Sequence, residues 1–443
     1  MRACSRDQQE VEPKPGGSPS LVLPGRSQLN ETLVRPKVQR KVVVTALNLV
    51  TALGVDLEAS WDGLVAGRSG IRKISLFDSS KHETRIAGEV PTEFDDYARK
   101  HCSRRLANQM GRAIKLGYVC AKEAVVRAGI DFDAYDRVRC AVIFGAADTG
   151  HSSIHDDRYW IMKTMPHGAS AWISQEYQLE GPNLTISAAC ASSAYAIAYG
   201  YDLIFTDKAD VVIAGGASAI VNPEHLGGFN ELGALSVSND EPERASRPFS
   251  MNRDGFVIGE GAGVVLLESE ESAVSRGATV YGEVVGYALT SEAYNIMAPR
   301  PGGVGMAKTM RMALNNAGVA KDHVDYINAH GSSTPLGDKY ETIAIKDVFG
   351  QRAYGIPVSS VKSMIGHTAG ACGAVEAAIT LMSLHTGILT PTVNHTPDPD
   401  LDLDYVPNAA RAHEMTIALS NSVAFGGCNA TLVLRKYAAT SRA

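Results

Sequence analysis

Four stretches of the chain set reactive side chains where loops meet regular structure. The first is TISAACASSAYAIAYGYDLI, residues 185–204, where Cys190 lies between a short β-type run and an alanine-rich helical run. Thiolate is the nucleophilic form of cysteine, and a helix N-terminus favours negative charge. Flanked by Ala188, Ala189 and Ala191, Cys190 combines a favoured thiolate with an apex that leaves room for a substrate. A buried cysteine filling a small gap would leave the same local pattern. In INAHGSSTPLGDKYE, residues 327–341, His330 ends an apolar run ahead of the hydroxyls of Ser332, Ser333 and Thr334. In VSSVKSMIGHTAGACGAVEA, residues 358–377, Lys362 and His367 bracket a Gly366 turn before a small-residue helix. Strand ends in parallel α/β sheets line clefts. Either histidine alone would suit a structural role; a Cys, two His and a Lys at such places together suggest a catalytic group. In SNSVAFGGCN, residues 420–429, Phe425 precedes two glycines, which let backbone approach a ligand or simply make a turn.

The elements needed to position these groups can be traced along the chain. Residues 1–40 are polar and rich in Pro, Gly and Ser, and are expected to be a flexible extension. Buried strands are expected over 41–54, 140–146, 209–218, 261–269, 280–289, 324–331 and 357–363, with two more closing the chain. Helices are expected over 105–128, 195–205, 306–317 and 370–386, the third stopped by Gly318. Apolar strands alternating with helices imply sheets covered on both faces, an α/β layered fold. A loose echo joins the halves: strand, Cys190 turn, helix, strand, and later strand, His367 turn, helix, strand.

The bulk numbers exclude several classes. With 443 residues, 45% hydrophobic and 20% charged, the chain is globular and large enough for two domains or one duplicated one. A net charge of −6 gives no electrostatic footprint for nucleic acid. The seven cysteines form no CxxC pair, which disfavours a disulfide framework and a zinc site and points to a reducing, cytoplasmic location. No apolar run suggests a signal peptide or a membrane span.

Taken together and in order, the Cys190 turn, HGSSTPLGD, VKSMIGHTAGACGAVE and SNSVAFGGCN resemble the β-ketoacyl-acyl carrier protein synthases of the thiolase superfamily, closest to the type II elongating branch. SRPFSMNRDGFVIGEGAGVVLLE, residues 246–268, matches as well, and the resemblance runs from Val42 to the C-terminus. It implies a thiolase-like α/β fold of duplicated halves in a five-layer αβαβα sandwich, with halves at 41–288 and 289–443. It implies decarboxylative Claisen condensation: an acyl group is carried on Cys190, and malonyl on acyl carrier protein supplies two carbons. His330 and His367 match the pair that stabilises the thioester enolate. Lys362, oriented by Glu376, matches the family lysine and balances charge in the site. Phe425 matches an aromatic gate, and its N–H with that of Cys190 matches the oxyanion hole. Ser332 and Thr334 sit where the family bonds the pantetheine arm. Tyr118 stands where an aliphatic residue usually lines the acyl pocket, so a shortened pocket is expected.

The resemblance further implies no cofactor beyond the phosphopantetheine that arrives on the carrier, and no catalytic metal, with a structural monovalent cation near Asn328, Glu376 and Ser420. A homodimer is expected, with a heterodimer of homologous chains as the alternative, and no nucleic acid or membrane partner. Arg104, Arg105, Arg112 and Lys115 are candidates for a basic patch facing an acidic carrier. Residues 160–174 look shorter than the family's interface loop. Cys428 replaces a more usual Thr or His and is assigned no role. The rival reading is a decarboxylating or non-catalytic partner subunit of a ketosynthase heterodimer. Such a chain would be expected to lose Cys190 or a histidine, and this one keeps all three.

Overall fold

The computed structural model describes residues 39–148 and 157–438. The extension expected over 1–40 therefore lies, but for its last two residues, outside the described residues. The sheet is built from β1 (Val42–Val50), β2 (Cys140–Gly145), β3 (Asn183–Ile186), β4 (Val211–Ala219), β5 (Glu260–Ser269), β6 (Gly282–Ser291), β7 (Tyr326–Asn328), β8 (Val358–Ser359), β9 (Ile417–Val423) and β10 (Cys428–Arg435). Its spatial order is β8-β7-β9-β10-β6-β1-β5-β4-β2-β3. Every residue of β1, β2, β4 and β5 is buried, as continuous apolar strands covered on both faces should be.

The sheet repeats itself. Counting outward from the join, β1-β5-β4-β2-β3 and β6-β10-β9-β7-β8 have the same order of strands by chain position. The first two pairings of each half are antiparallel and the last two parallel. The halves meet where Val42, Val43 and Val44 of β1 pair with Val284, Glu283 and Gly282 of β6. The major helices are α1 (Arg112–Ala128), α2 (Gly168–Tyr177), α3 (Ser192–Phe205), α4 (Val304–Ala317), α5 (Pro335–Phe349) and α6 (Cys372–Thr386). Helices α1 and α2 pack on one face of the first half. Helices α3 and α6 fill the space between the halves, and α4 and α5 cover the outer face of the second. The result is the five-layer, duplicated α/β architecture of the thiolase fold.

Small residues let the central helices touch. A Cβ on Gly373 would lie 2.5 Å from the Ala194 backbone nitrogen, so only glycine fits where α6 crosses the start of α3. Each of these two helices follows a 3₁₀ turn, Ala189–Ala191 before α3 and Ala369–Ala371 before α6. The turns open on alanines at φ +46° and +42°, a left-handed conformation that costs energy in a non-glycine residue. The pair of strained turns is the structural form of the echo between Cys190 and His367.

Several boundaries differ from the sequence expectations. The strand expected over 357–363 is only Val358–Ser359, and its last part has become the start of a short helix, Lys362–Ile365. The helix expected over 105–128 is broken into Arg104–Ala107 and α1, because Gly111 adopts extended backbone and caps the second piece. The helix expected from residue 370 begins at Cys372, its first turn being 3₁₀. The division at 288/289 falls inside β6, which pairs along its length with β10, so the whole strand belongs to the second half of the sheet.

Candidate active site

Cys190 sits in the 3₁₀ turn that leads into α3, half-exposed. The side chain of Ser192 braces this turn: its Oγ accepts from the Ala188 N–H at 2.8 Å and donates to the Ala189 carbonyl at 2.6 Å. His330 lies two residues beyond β7. His367 is placed differently from the strand end expected for it. It follows a short helix, Lys362–Ile365, and Gly366 at φ +73°. Backbone bonds to Val257 and Gly259, at 2.8 and 2.9 Å, then clamp it.

These groups converge. Cys190, His330, His367 and Phe425 line one cavity of about 670 Å³, together with Ser332, Thr334, Asn295, Phe229 and Glu292. The two imidazoles meet edge to face with centroids 5.4 Å apart. The Nδ1 of His367 accepts the Ala369 N–H at 3.0 Å, and Cys372 Sγ lies 3.4 Å from the same nitrogen. An accepting Nδ1 assigns the proton of the neutral ring to Nε2. Burial, the Lys362 ammonium and His367 together hold the His330 pKa well below its ordinary value, so this ring is neutral near pH 7. Two neutral imidazoles in a concave site can donate N–H groups to a developing oxyanion.

Lys362 and Glu376 do not reach the cavity lining. They form a buried ion pair behind it, and Lys362 Nζ also donates to the His330 carbonyl at 2.6 Å. Burial opposes the lysine charge, but the Glu376 carboxylate beside it prevails and its pKa is raised. Asn328 Oδ1 and Glu376 Oε2 are buried acceptors without a hydrogen-bond partner, and Asn328 Nδ2 donates to the Glu376 carbonyl at 3.1 Å. Two orphaned oxygens on adjacent residues fit the monovalent cation implied by the resemblance. Among the described residues no group of three or more His, Cys, Asp and Glu side chains could hold a metal ion.

Two acidic residues that carried no assignment in the sequence hold the His330 loop. Glu341 accepts the N–H groups of His330 and Gly331 at 2.9 and 2.8 Å. Asp338 accepts those of Phe249 and Ser333 at 2.7 and 3.1 Å, two non-glycine residues at φ +60° and +69°. They are three apart in the first turns of α5, whose side chains lean back toward its N-terminus and so onto the preceding loop. That spacing, directly after HGSSTP, was the available signal. The same loop brings Ser332 Oγ within 2.9 Å of Thr334 Oγ1 at the cavity wall.

Burial pushes the Asp338 carboxyl up to about 7, against its backbone donors and Arg253. A carboxyl whose pKa is raised on folding adds stability below its unfolded value and loses that contribution as pH rises toward the folded value. Between about pH 4 and pH 7 this one group should therefore cost up to about 1.4 kcal/mol of stability per pH unit. Urea midpoints of wild type and Asp338→Asn, taken at pH 5 and pH 8, check it. The variant should lose less stability than wild type on going to pH 8, and an equal loss in both would refute the assignment.

Two sequence expectations fail here. Tyr118 is fully buried, but α1 turns it toward α2, where its hydroxyl donates to Glu176 at 2.8 Å; it lines neither cavity of the site. Ala113 and Ile114, one turn earlier on α1, line the smaller cavity instead. Arg112 is not part of a free basic patch, because its guanidinium is committed to Glu260 at 2.5–2.6 Å. Residues 160–174 form a short helix, Trp160–Thr164, and most of α2, while 149–156 just before them lie outside the described residues. Cys428 is half-buried beside Tyr195 and is not among the residues that line the cavity.

Comparison with known proteins agrees with this geometry. Residues 39–273 match the N-terminal domain of β-ketoacyl synthases and residues 281–396 the C-terminal domain. The chain is 40% identical over 413 residues to a 3-oxoacyl-[acyl-carrier-protein] synthase 2 of Synechocystis sp., covering 90% of this chain and 99% of that one. Among solved structures it is similar to the ishigamide ketosynthase/chain length factor, with TM-score 0.83 and 34% identity over 90% of this chain and 100% of that one. It is also similar to a chain of a type II polyketide acyl-carrier protein in complex with its ketosynthase bound to the hexaketide, with TM-score 0.81, 32% identity and the same coverage. With the two domain models together spanning most of its length, and a cysteine and two histidines facing one cavity, the chain belongs to the β-ketoacyl synthase family.

Proposed function

We propose that the protein is a β-ketoacyl-acyl carrier protein synthase that joins an acyl group to a two-carbon unit from malonyl-carrier thioester. The single observation that carries this is the convergence of Cys190, His330, His367 and Phe425 on one cavity. The Cys190 thiolate attacks the carbonyl carbon of an acyl-carrier thioester. The C–S bond to the carrier breaks, and the pantetheine sulfur leaves with the proton that Cys190 gave up. Exchange between thioesters is close to even in energy, so the helix N-terminus at α3 is sufficient activation.

The malonyl thioester then enters past Ser332 and Thr334, whose hydroxyls suit the amides of a pantetheine arm. The bond to its carboxylate carbon breaks, CO₂ leaves, and the electron pair moves into the thioester as an enolate. Neutral His330 and His367 donate to the enolate oxygen, a charge that exists only after the bond breaks, so the donors favour the transition state over the substrate. The enolate carbon attacks the acyl carbonyl on Cys190, whose oxyanion rests on the N–H groups of Cys190 and Phe425. Expulsion of the Cys190 thiolate gives the β-ketoacyl thioester and restores the nucleophile.

Lys362, paired with Glu376 and bonded to the His330 carbonyl, holds that histidine in place without touching substrate. A monovalent cation held by Asn328 and Glu376 would neutralise charge behind the pair. The partners are an acyl carrier protein and a second copy of the chain, with no nucleic acid or membrane and no cofactor besides the carrier's pantetheine. The dimer is supported by β3, the last strand of the sheet, whose Leu184 is 40% exposed. No helix among the described residues is long and apolar enough to cross a membrane.

The test is reconstitution with an acyl-carrier thioester and a malonyl-carrier thioester, following the carrier-bound product by intact mass. A β-keto product longer by one two-carbon unit is expected. Decarboxylation of the malonyl thioester with no condensation under any acyl donor would instead support the partner-subunit reading.

A further inference from the structure

The acyl chain on Cys190 needs a place of its own, because the pantetheine arm of the second thioester occupies the shared cavity at the same moment. A small space adjoins that cavity. It measures about 10 Å³ and is lined by Ile114, Phe144, Met165, Ala169, Ala217 and Asp148. A space of that size holds about one water. Asp148 alone among these six also lines the 670 Å³ cavity, so it stands at the boundary between the two.

The carboxyl group is fixed there. Its Oδ2 accepts the Ser218 hydroxyl at 2.6 Å and its Oδ1 accepts the Ala219 N–H at 3.3 Å, both at the end of β4. An alkyl chain growing from Cys190 toward α1 would have to lay its methylene groups against these polar oxygens, at a cost no methylene contact repays. Beyond them lie the apolar side chains of Ile114, Phe144 and Met165.

Resting on the ketosynthase reading above, we infer that Asp148 is a specificity-determining residue that confines the acyl group on Cys190 to short chains. The residue acts through two properties, its place at the neck and its polarity. Replacing it by alanine removes both, leucine removes only the polarity, and asparagine keeps both.

The test uses the full chain with butyryl-carrier and octanoyl-carrier thioesters, reading the rate of Cys190 acylation by intact mass. Wild type should favour butyryl by at least about tenfold, the scale of discrimination that pocket walls achieve. Asp148→Ala should narrow that ratio by about tenfold, and Asp148→Asn should keep it. Should Asp148→Ala fail to fold, Asp148→Leu replaces it and should also narrow the ratio. Equal rates of butyryl and octanoyl loading in wild type would overturn the inference, as would an unchanged ratio in the alanine and leucine variants. Folded variants that no longer accept butyryl would overturn it too, since a chain-length filter is not needed for a short chain. Failure of wild type to accept either acyl group, with no condensation product, would sink the ketosynthase reading itself and this inference with it.

Discussion

Replacing Cys190 by alanine should abolish acyl transfer and condensation while leaving the protein able to decarboxylate malonyl-carrier thioester. The expected loss in condensation is on the order of 10⁴-fold or more, the usual cost of deleting a covalent nucleophile whose partners cannot replace it. Decarboxylation survives because its oxyanion donors are elsewhere. His330 and His367 come from other segments of the chain, and the His367 tautomer is set by the Ala369 N–H, not by Cys190. The substitution is also mild for the fold, since Ala189, Ala191 and the Ser192 brace all remain. The measurement is paired: intact mass for the acyl adduct, and CO₂ release from labelled malonyl thioester. Parallel loss of both activities in a folded variant would show that Cys190 takes part in decarboxylation directly, and the division of labour proposed here would be wrong.

The second large effect is on stability. Lys362→Met should destabilise the protein by about 3–5 kcal/mol, because it leaves the Glu376 carboxylate buried without its counter-charge. Lys362 also donates to the His330 carbonyl, and its charge helps hold the histidine neutral. A drop in kcat larger than any rise in KM is therefore expected at temperatures where the variant stays folded. The double variant Lys362→Met/Glu376→Gln should regain much of the lost stability, since neither side chain then carries a charge into the core. Urea unfolding of wild type, both single variants and the double variant closes the cycle. Simple additivity of the two single losses would mean that the groups do not interact, contrary to the ion pair and to the raised Lys362 pKa.

Much of the site was legible in the sequence, for a definite reason. Cys190, His330 and Phe425 lie in turns or loops that follow a strand, and Lys362 and His367 flank the Gly366 turn that ends a short helix. Backbone geometry at such turns is set locally by Gly and Ala, so residue type and spacing announce them. The alternation of apolar strands with helices likewise fixed the layered α/β class, because strands buried on both faces cannot hide their composition. The pairing of Lys362 with Glu376 was implied by the resemblance, and the side chains meet as it requires.

What the tertiary structure alone decided depends on which way a helix is rolled and on which distant segments meet. Tyr118 shares α1 with Ala113 and Ile114, yet only the latter two face the small cavity; their difference is rotation about the helix axis, fixed by packing against the sheet and α2. Arg112 has the composition of a docking patch and is spent on Glu260, a partner far away in the chain. Asp338 and Glu341 carried no assignment in the sequence, and became the supports of the His330 loop once α5 laid its first turns beneath it. Asp148 acquired meaning only when β2, β4 and α1 closed a space around it. Local sequence specifies the chemistry a turn can carry, because turn geometry is a short-range property. The reach and selectivity of that chemistry are long-range properties, set by the packing of layers that no single stretch contains.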